Sequence, residues 1–120
     1  MSPVSISQYM HAVAVLGLYN EELVTLLLRI AQQLPPRLFT TNAVANIAWS
    51  LAVFNTDACV EEGVLEWLCS LIDRTYEHMR PTHRLQIHQL LVTCEQAGRR
   101  LSDRFFLSLF ARDASPYCYT

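Results

Sequence analysis

The sequence predicts an all-α fold, and three observations support that prediction. Apolar residues recur at helical spacing in six segments, and no segment alternates polar and apolar residues for more than a few positions. Glycine, proline and N-capping residues fall between the apolar runs. Hydrophobic residues make up 52% of the 120 positions and charged residues only 17%, so the chain can bury a core as one domain.

Residues 5–34 form the first predicted helical hairpin. Its first helix is expected to end at Gly17, because glycine readily adopts the left-handed backbone that terminates a helix. Its second helix is expected to start at the N-cap Asn20 and to end before Pro35 and Pro36. The predicted apolar faces are Tyr9, Ala12, Val13 and Leu16 on the first helix, and Leu23, Leu26, Leu27 and Ile30 on the second.

Residues 40–78 form the second predicted hairpin. Its first helix is expected to begin at Thr40 or Thr41 and to end near Asn55, and its second helix follows Asp57. The predicted apolar positions of this hairpin are Val44, Ile47, Ala48, Leu51 and Ala52, then Val64, Leu65, Leu68, Leu71 and Ile72.

Residues 82–112 form the third predicted hairpin. Pro81 precedes Thr82, the expected N-cap of the fifth helix, and Gly98 is expected to end it. The predicted face of that helix carries Leu85, His88, Leu91 and Val92. Ser102 is expected to cap a sixth helix rich in phenylalanine, and residues 114–120 form a tail outside the single domain of residues 1–113.

Similar positions return in the second helix of each hairpin. Glu21-Glu22-Leu23-Val24 matches Glu61-Glu62-Gly63-Val64 forty residues later, and Asp103 continues the series. Three hairpins with a period near 40 residues predict an α-solenoid, in which each hairpin buries its apolar face against the next. The alternative is a six-helix globular bundle without true repeats.

The charges are unevenly distributed along the chain. The net charge is −2, yet residues 1–78 carry three arginines and eight acids, whereas residues 79–112 carry six arginines and two acids. The sequence therefore predicts a basic end on an acidic body. None of the four cysteines shares a C-x-x-C spacing, which indicates buried thiols in place of a disulfide framework.

Known catalytic and ligand-binding patterns are absent from the sequence. His83 and His88 lie five residues apart, on different sides of a helix, and no histidine or cysteine has metal-ligand spacing. No nucleophile motif, P-loop or dinucleotide fingerprint occurs. We therefore expect a non-enzymatic protein with no metal, cofactor or small-molecule substrate.

The sequence also lacks a membrane segment and a targeting segment. No run of about 18 apolar residues occurs, so membrane insertion is not expected. The first 20 residues contain no arginine or lysine and so match neither a secretory signal nor an Arg-rich transit peptide. For an organellar protein, the targeting segment would have been removed or would lie outside this chain.

Two stretches resemble a known family. Asn46-Ile47-Ala48-Trp49-Ser50-Leu51-Ala52-Val53-Phe54 resembles the recurring helix of octotricopeptide-type repeats, and Gln86-Ile87-His88-Gln89-Leu90-Leu91 is similar to helical regions upstream of RAP domains. Proteins of this RAP and FAST-kinase-like family are mostly organellar RNA-binding or RNA-processing factors. The resemblance implies a mitochondrial or other organellar RNA-binding protein, but no RAP domain follows the repeats here.

The candidate RNA-binding residues cluster around the fifth and sixth predicted helices. They are Arg80, His83, Arg84, Arg99, Arg100 and Arg104. Basic side chains in this pattern suit phosphate contacts, and pairing with nearby surface acids is the alternative. The expected partners are ribosomal or other organellar RNA and neighbouring proteins of a large assembly, most naturally a mitochondrial ribosome. A protein–protein adaptor without RNA contact and a fragment of a larger protein are the other hypotheses.

Overall fold

A computed structural model of the chain describes residues 1–55 and 62–96. The described residues form five α-helices, and no strand occurs among them. The helices are α1 (Pro3–Leu16), α2 (Glu21–Gln33), α3 (Thr41–Phe54), α4 (Glu62–Thr75) and α5 (Pro81–Gln96). Short 3-10 turns at Pro36–Leu38 and Tyr76–His78 precede α3 and α5. The all-α prediction is confirmed for this part of the chain, while the predicted sixth helix and tail lie outside it.

Most helix ends follow the capping chemistry expected from the sequence. Asn20 caps α2 through its side-chain oxygen, which accepts from the backbone of Leu23 at 3.0 Å, and Thr40 caps α3 in the same way at 3.1 Å. At the other ends, Gly17 (φ 69°) and Asn55 (φ 45°) adopt the left-handed conformation that terminates α1 and α3.

The start of α5 differs from its prediction. The helix begins at Pro81, one residue before Thr82, so the prediction of Thr82 as N-cap was wrong. The Arg80 carbonyl accepts the first helical hydrogen bond from the backbone of Arg84 at 3.1 Å. Pro81 fits the first helical position because it has no N–H to leave unsatisfied and its φ is already helical.

The predicted buried faces are right for α3 and α4. Those of α1, α2 and α5 include residues that the structure leaves exposed. In α1, Tyr9 and Leu16 are 48% and 67% exposed, whereas Ile6 and Met10 are fully buried. In α5, the predicted Leu91 is buried, but Leu85 and Val92 are exposed, and Ile87, Leu90 and Cys94 complete the buried side. In α2, the predicted Leu27 is buried, but Leu26 is exposed, and Val24, Leu28 and Ala31 complete the buried side. Apolar residues lie on more than one side of α1 and α5, so spacing alone could not identify the core-facing side.

The helix α3 lies between α1 and α5 and contacts both more extensively than any other helices contact each other. Its small buried residues permit this close approach: Ala43, Ala45, Ala48 and Ala52. The His11 and Trp49 rings meet at mid-helix with centroids 5.0 Å apart, and Tyr19 meets Phe54 near the helix ends, also at 5.0 Å. These contacts show that α1 and α3 run in the same direction.

The helices α2 and α4 complete a single hydrophobic core. Buried side chains of all five helices belong to one continuous cluster. Phe39, just before α3, packs edge-to-face on Trp67 of α4, with ring centroids 5.8 Å apart. Tyr76 follows α4 directly and is fully buried, so the second 3-10 turn is anchored in the core.

Candidate nucleic-acid interface

The segments that join one hairpin to the next lie at one edge of the molecule. The first segment covers residues 34–40 and leads into α3, and the second covers residues 76–80 and leads into α5. A hydrogen bond between His83 Nε2 and Asn42 Oδ1, 2.8 Å long, joins the first turns of α3 and α5. Because α3 and α5 also pack extensively, they run in the same direction and both segments meet at the same edge.

Four arginines belong to the elements that meet at this edge. Arg37 lies in the first 3-10 turn, Arg74 in the last turn of α4, and Arg80 and Arg84 at the start of α5. Arg37, Arg74 and Arg80 are exposed. The same segments carry the acids Asp73 and Glu77, so the net charge of the edge is positive. We call Arg37, Arg74, Arg80 and Arg84 the arginine edge.

Arg84 has a structural role at this edge. Its guanidinium lies 4.5 Å from the centre of the Tyr76 ring, and its Nη2 donates to the Tyr76 carbonyl at 3.1 Å. The Tyr76 hydroxyl lies 3.3 Å from His88 Nε2. Cation–π attraction and the hydrogen bond together fasten the first turn of α5 to the 3-10 turn before it. Arg84 is half-buried and therefore offers less of its charge to a ligand than Arg80 does.

His83 also works within the protein. Its Nδ1 faces the backbone N–H of Arg80 at 3.4 Å and accepts from it, which leaves the imidazole proton on Nε2. Nε2 then donates to Asn42 Oδ1. The imidazole therefore connects two hairpins and positions the backbone that carries Arg80.

The structure thus separates the predicted site residues by role. Among the described ones, Arg80 is exposed, whereas His83 and Arg84 make internal contacts. Arg99, Arg100 and Arg104 lie outside the described residues.

Sequence reasoning missed Arg37 and Arg74. Both belong to residues 1–78, which the sequence analysis treated as an acidic body. They are 37 residues apart. Arg37 follows α2, and Arg74 lies in the last turn of α4. Their matching positions, just after α2 and at the end of α4, were the signal that could have placed them together.

Acids lie at the opposite end of the described helices. Glu21 and Glu22 begin α2 there, beside the turn of residues 17–20, and both are exposed. Among the described residues of that turn and of the first turn of α2, none is an arginine or a lysine. Because acids begin α2, an anion would approach the arginine edge in preference to the start of α2.

The described thiols are poorly suited to nucleophilic chemistry. Cys69 and Cys94 form no disulfide. Burial, reinforced by Cys94 and Glu66, raises the pKa of the Cys69 thiol to about 12. Across residues 1–55 and 62–96, no group of three or more His, Cys, Asp or Glu side chains is arranged to hold a metal ion. Within the same ranges, no helix is both long and apolar enough to cross a membrane.

No protein-family model matches the chain, and neither the curated proteins nor the solved structures contain a significant match. The described residues define the class as an all-α protein with exposed arginines at the end of α4 and in the segments that lead into α3 and α5.

Proposed function

We propose that this chain is a non-enzymatic helical-repeat protein that binds RNA along its arginine edge. The observation that carries the proposal is the exposure of Arg37, Arg74 and Arg80 on segments that meet at one edge of the fold. Exposed guanidinium groups make paired hydrogen bonds to phosphate oxygens, and a row of them suits a polyanion better than a single small anion.

The repeat architecture is part of the proposal. Contacts between the odd-numbered helices join residues 38 apart in one case (His11 and Trp49) and 41 apart in the other (Asn42 and His83). Both separations agree with the repeat period of about 40 residues. Such a solenoid places equivalent segments of successive hairpins along one edge, which extends the basic surface with each repeat.

The expected recognition is of the phosphate backbone and not of the base sequence. The proposed contacts of the exposed Arg37, Arg74 and Arg80 are to phosphate oxygens, and such contacts carry no sequence information directly. Affinity should therefore fall with salt, by roughly 0.7 log units per log unit of salt for each phosphate neutralised on a single strand. Arg99, Arg100 and Arg104 are proposed as further phosphate contacts on the basis of the sequence, in which they follow the end of α5 away from the arginine edge.

A direct test measures binding of a labelled, mixed-sequence single-stranded RNA by fluorescence anisotropy. The double variant R37Q/R80Q removes two exposed charges from the edge, and we expect it to weaken binding by on the order of tenfold at low salt. The matched control L18E/L26E changes the net charge by the same amount at two exposed leucines away from the edge. Equal losses in the two variants would contradict a localised site.

A ribonucleoprotein is the proposed setting, and the family resemblance favours a mitochondrial ribosome. The test is sedimentation of the tagged protein from organelle lysate, with and without ribonuclease. Co-migration with particles that contain ribosomal RNA, reduced by R37Q/R80Q and by Arg99→Glu with Arg100→Glu, is the expected result. Recovery of one or two proteins, unchanged by ribonuclease and by these substitutions, would contradict it.

A protein–protein adaptor is the second candidate, and the outer surface of α1 favours it. Val4, Tyr9, Val15 and Leu16 are exposed there, and residues 1–20 contain no Asp, Glu, Lys or Arg. An apolar contact depends little on salt, whereas phosphate contacts depend on it steeply. Salt dependence therefore separates the two candidates.

A further inference from the structure

The helices α1 and α3 are equivalent positions of the fold, and the ring contact between His11 and Trp49 sets their register. These residues are 38 apart, and each is half-buried. In this register the core-facing positions agree. Ile6, Ser7, Met10, Val13 and Ala14 are buried, and so are Val44, Ala45, Ala48, Leu51 and Ala52. The outward positions Val15 and Val53 also agree, since both are exposed.

The two helices differ along one flank. Ser5, Tyr9 and Ala12 are exposed, whereas their equivalents Ala43, Ile47 and Ser50 are buried. Leu16 is 67% exposed, whereas its equivalent Phe54 is half-buried against Tyr19. These four positions of α1 follow a spacing of four, three and four residues, which keeps them on one side of a helix. We call Ser5, Tyr9, Ala12 and Leu16 the α1 flank.

The α1 flank corresponds to a surface of α3 that other helices cover, but no helix of the described chain covers it in α1. The equivalent flank of α3 is covered within the fold, and the Tyr19–Phe54 contact shows the α1–α2 hairpin lying over its end. The whole segment of residues 1–20 has no charged side chain, so no ionic repulsion opposes contact with another uncharged helix. The α1 flank is therefore an uncharged, exposed helix surface that suits contact with a further helix.

The order of side-chain sizes on the flank is self-complementary. It reads small, large, small, large: Ser5, Tyr9, Ala12, Leu16. When two such helices pack antiparallel about a two-fold axis midway between Tyr9 and Ala12, Tyr9 faces Ala12 of the second copy. Leu16 then faces Ser5. Every large side chain meets a small one, which is how helix surfaces interdigitate, and a two-fold interface requires such self-complementarity.

We propose that two copies of this chain associate through antiparallel packing of their α1 flanks. The helix has 14 residues and is therefore about 21 Å long. One helix pair of this length buries less than the roughly 1,200 Å² of a standard interface, so the dimer is weak. We expect a Kd on the order of 10⁻⁵ to 10⁻⁴ M.

The test is sedimentation equilibrium of the whole chain over a range of concentrations that brackets this Kd. The single variants A12Y and Y9A should each weaken dimerisation by about tenfold or more. A12Y brings two tyrosines together at each contact, and Y9A leaves a gap. The double variant Y9A/A12Y exchanges the large and small positions and should restore the wild-type Kd. Leu26→Ala is the control, because Leu26 is exposed on α2 and outside the flank.

Circular dichroism checks that each variant keeps its helical content, which is expected because Tyr9 and Ala12 are exposed in the monomer. A wild-type chain that is monomeric at every concentration would overturn the proposal. So would a dimer that A12Y does not weaken, or a double variant no better than the single ones. R37Q/R80Q should dimerise like the wild type, so failure of RNA binding and failure of dimerisation are distinguishable.

Discussion

The helices α1 and α3 have the same length and a similar apolar content, yet they experience different surroundings. Each has 14 residues, and α3 is covered by neighbours on both flanks, whereas α1 is covered on one. The fully buried Ile47 of α3 and its equivalent in α1, Tyr9, which is 48% exposed, illustrate the difference. Position in the stack, more than local sequence, decides which apolar residues stabilise the fold and which remain for a partner.

The largest expected effect tests this comparison through leucine truncation. Leu51→Ala removes a fully buried side chain from the centre of the core and should lower the free energy of unfolding by about 2–5 kcal/mol. Leu16→Ala should change it by less than about 0.5 kcal/mol, because the side chain is mostly in water already. Urea denaturation of both variants measures the difference. Similar losses of unfolding free energy in the two variants would contradict the exposure of Leu16.

The next effect separates the two arginines at the start of α5. Arg84→Gln loses the contact with the Tyr76 ring and the charged donor to the Tyr76 carbonyl, and should cost about 1–2 kcal/mol of stability. Arg80→Gln should cost less than about 0.5 kcal/mol, since Arg80 is exposed. Thermal unfolding monitored by circular dichroism reports both. A larger loss for Arg80→Gln would reverse the structural assignment.

A smaller, kinetic effect concerns Cys69. Burial raises the pKa of the Cys69 thiol to about 12, so this thiol stays protonated near pH 8 in the folded protein. The thiolate is the form that reacts with an alkylating reagent. The unfolded chain has an ordinary thiol pKa and more thiolate at the same pH. Alkylation followed by peptide mass spectrometry should therefore be slow at Cys69 in the native protein and fast in urea. Equal rates would contradict the burial of this group.

The sequence was most informative where local chemistry determines structure. Asn20, Thr40 and Gly17 mark helix ends through hydrogen bonds and backbone freedom that involve only nearby residues, and those predictions were confirmed. The core of α3 was also predicted correctly because Val44, Ile47 and Leu51 have one consistent spacing. Thr82 failed as a cap because Pro81 occupies the first helical position and starts the helix earlier.

The site was harder to predict because it is assembled from distant residues. Arg80 was recognised in a basic stretch, but Arg37 and Arg74 reach the same edge only through the antiparallel hairpins. The internal roles of His83 and Arg84 depend on Asn42 and Tyr76, which no spacing rule connects to them. The faces of α1 failed for a related reason, since their burial is decided by neighbours far along the chain.

The salt dependence of RNA binding tests the central proposal most directly. Affinity for a mixed-sequence single-stranded RNA is measured from about 50 to 200 mM salt for the wild type and for R37Q/R74Q/R80Q. Removing three phosphate contacts should reduce the slope of log affinity against log salt by roughly 2, at about 0.7 per contact, while L18E/L26E keeps the wild-type slope. An unchanged slope in the triple variant would contradict RNA binding at the arginine edge.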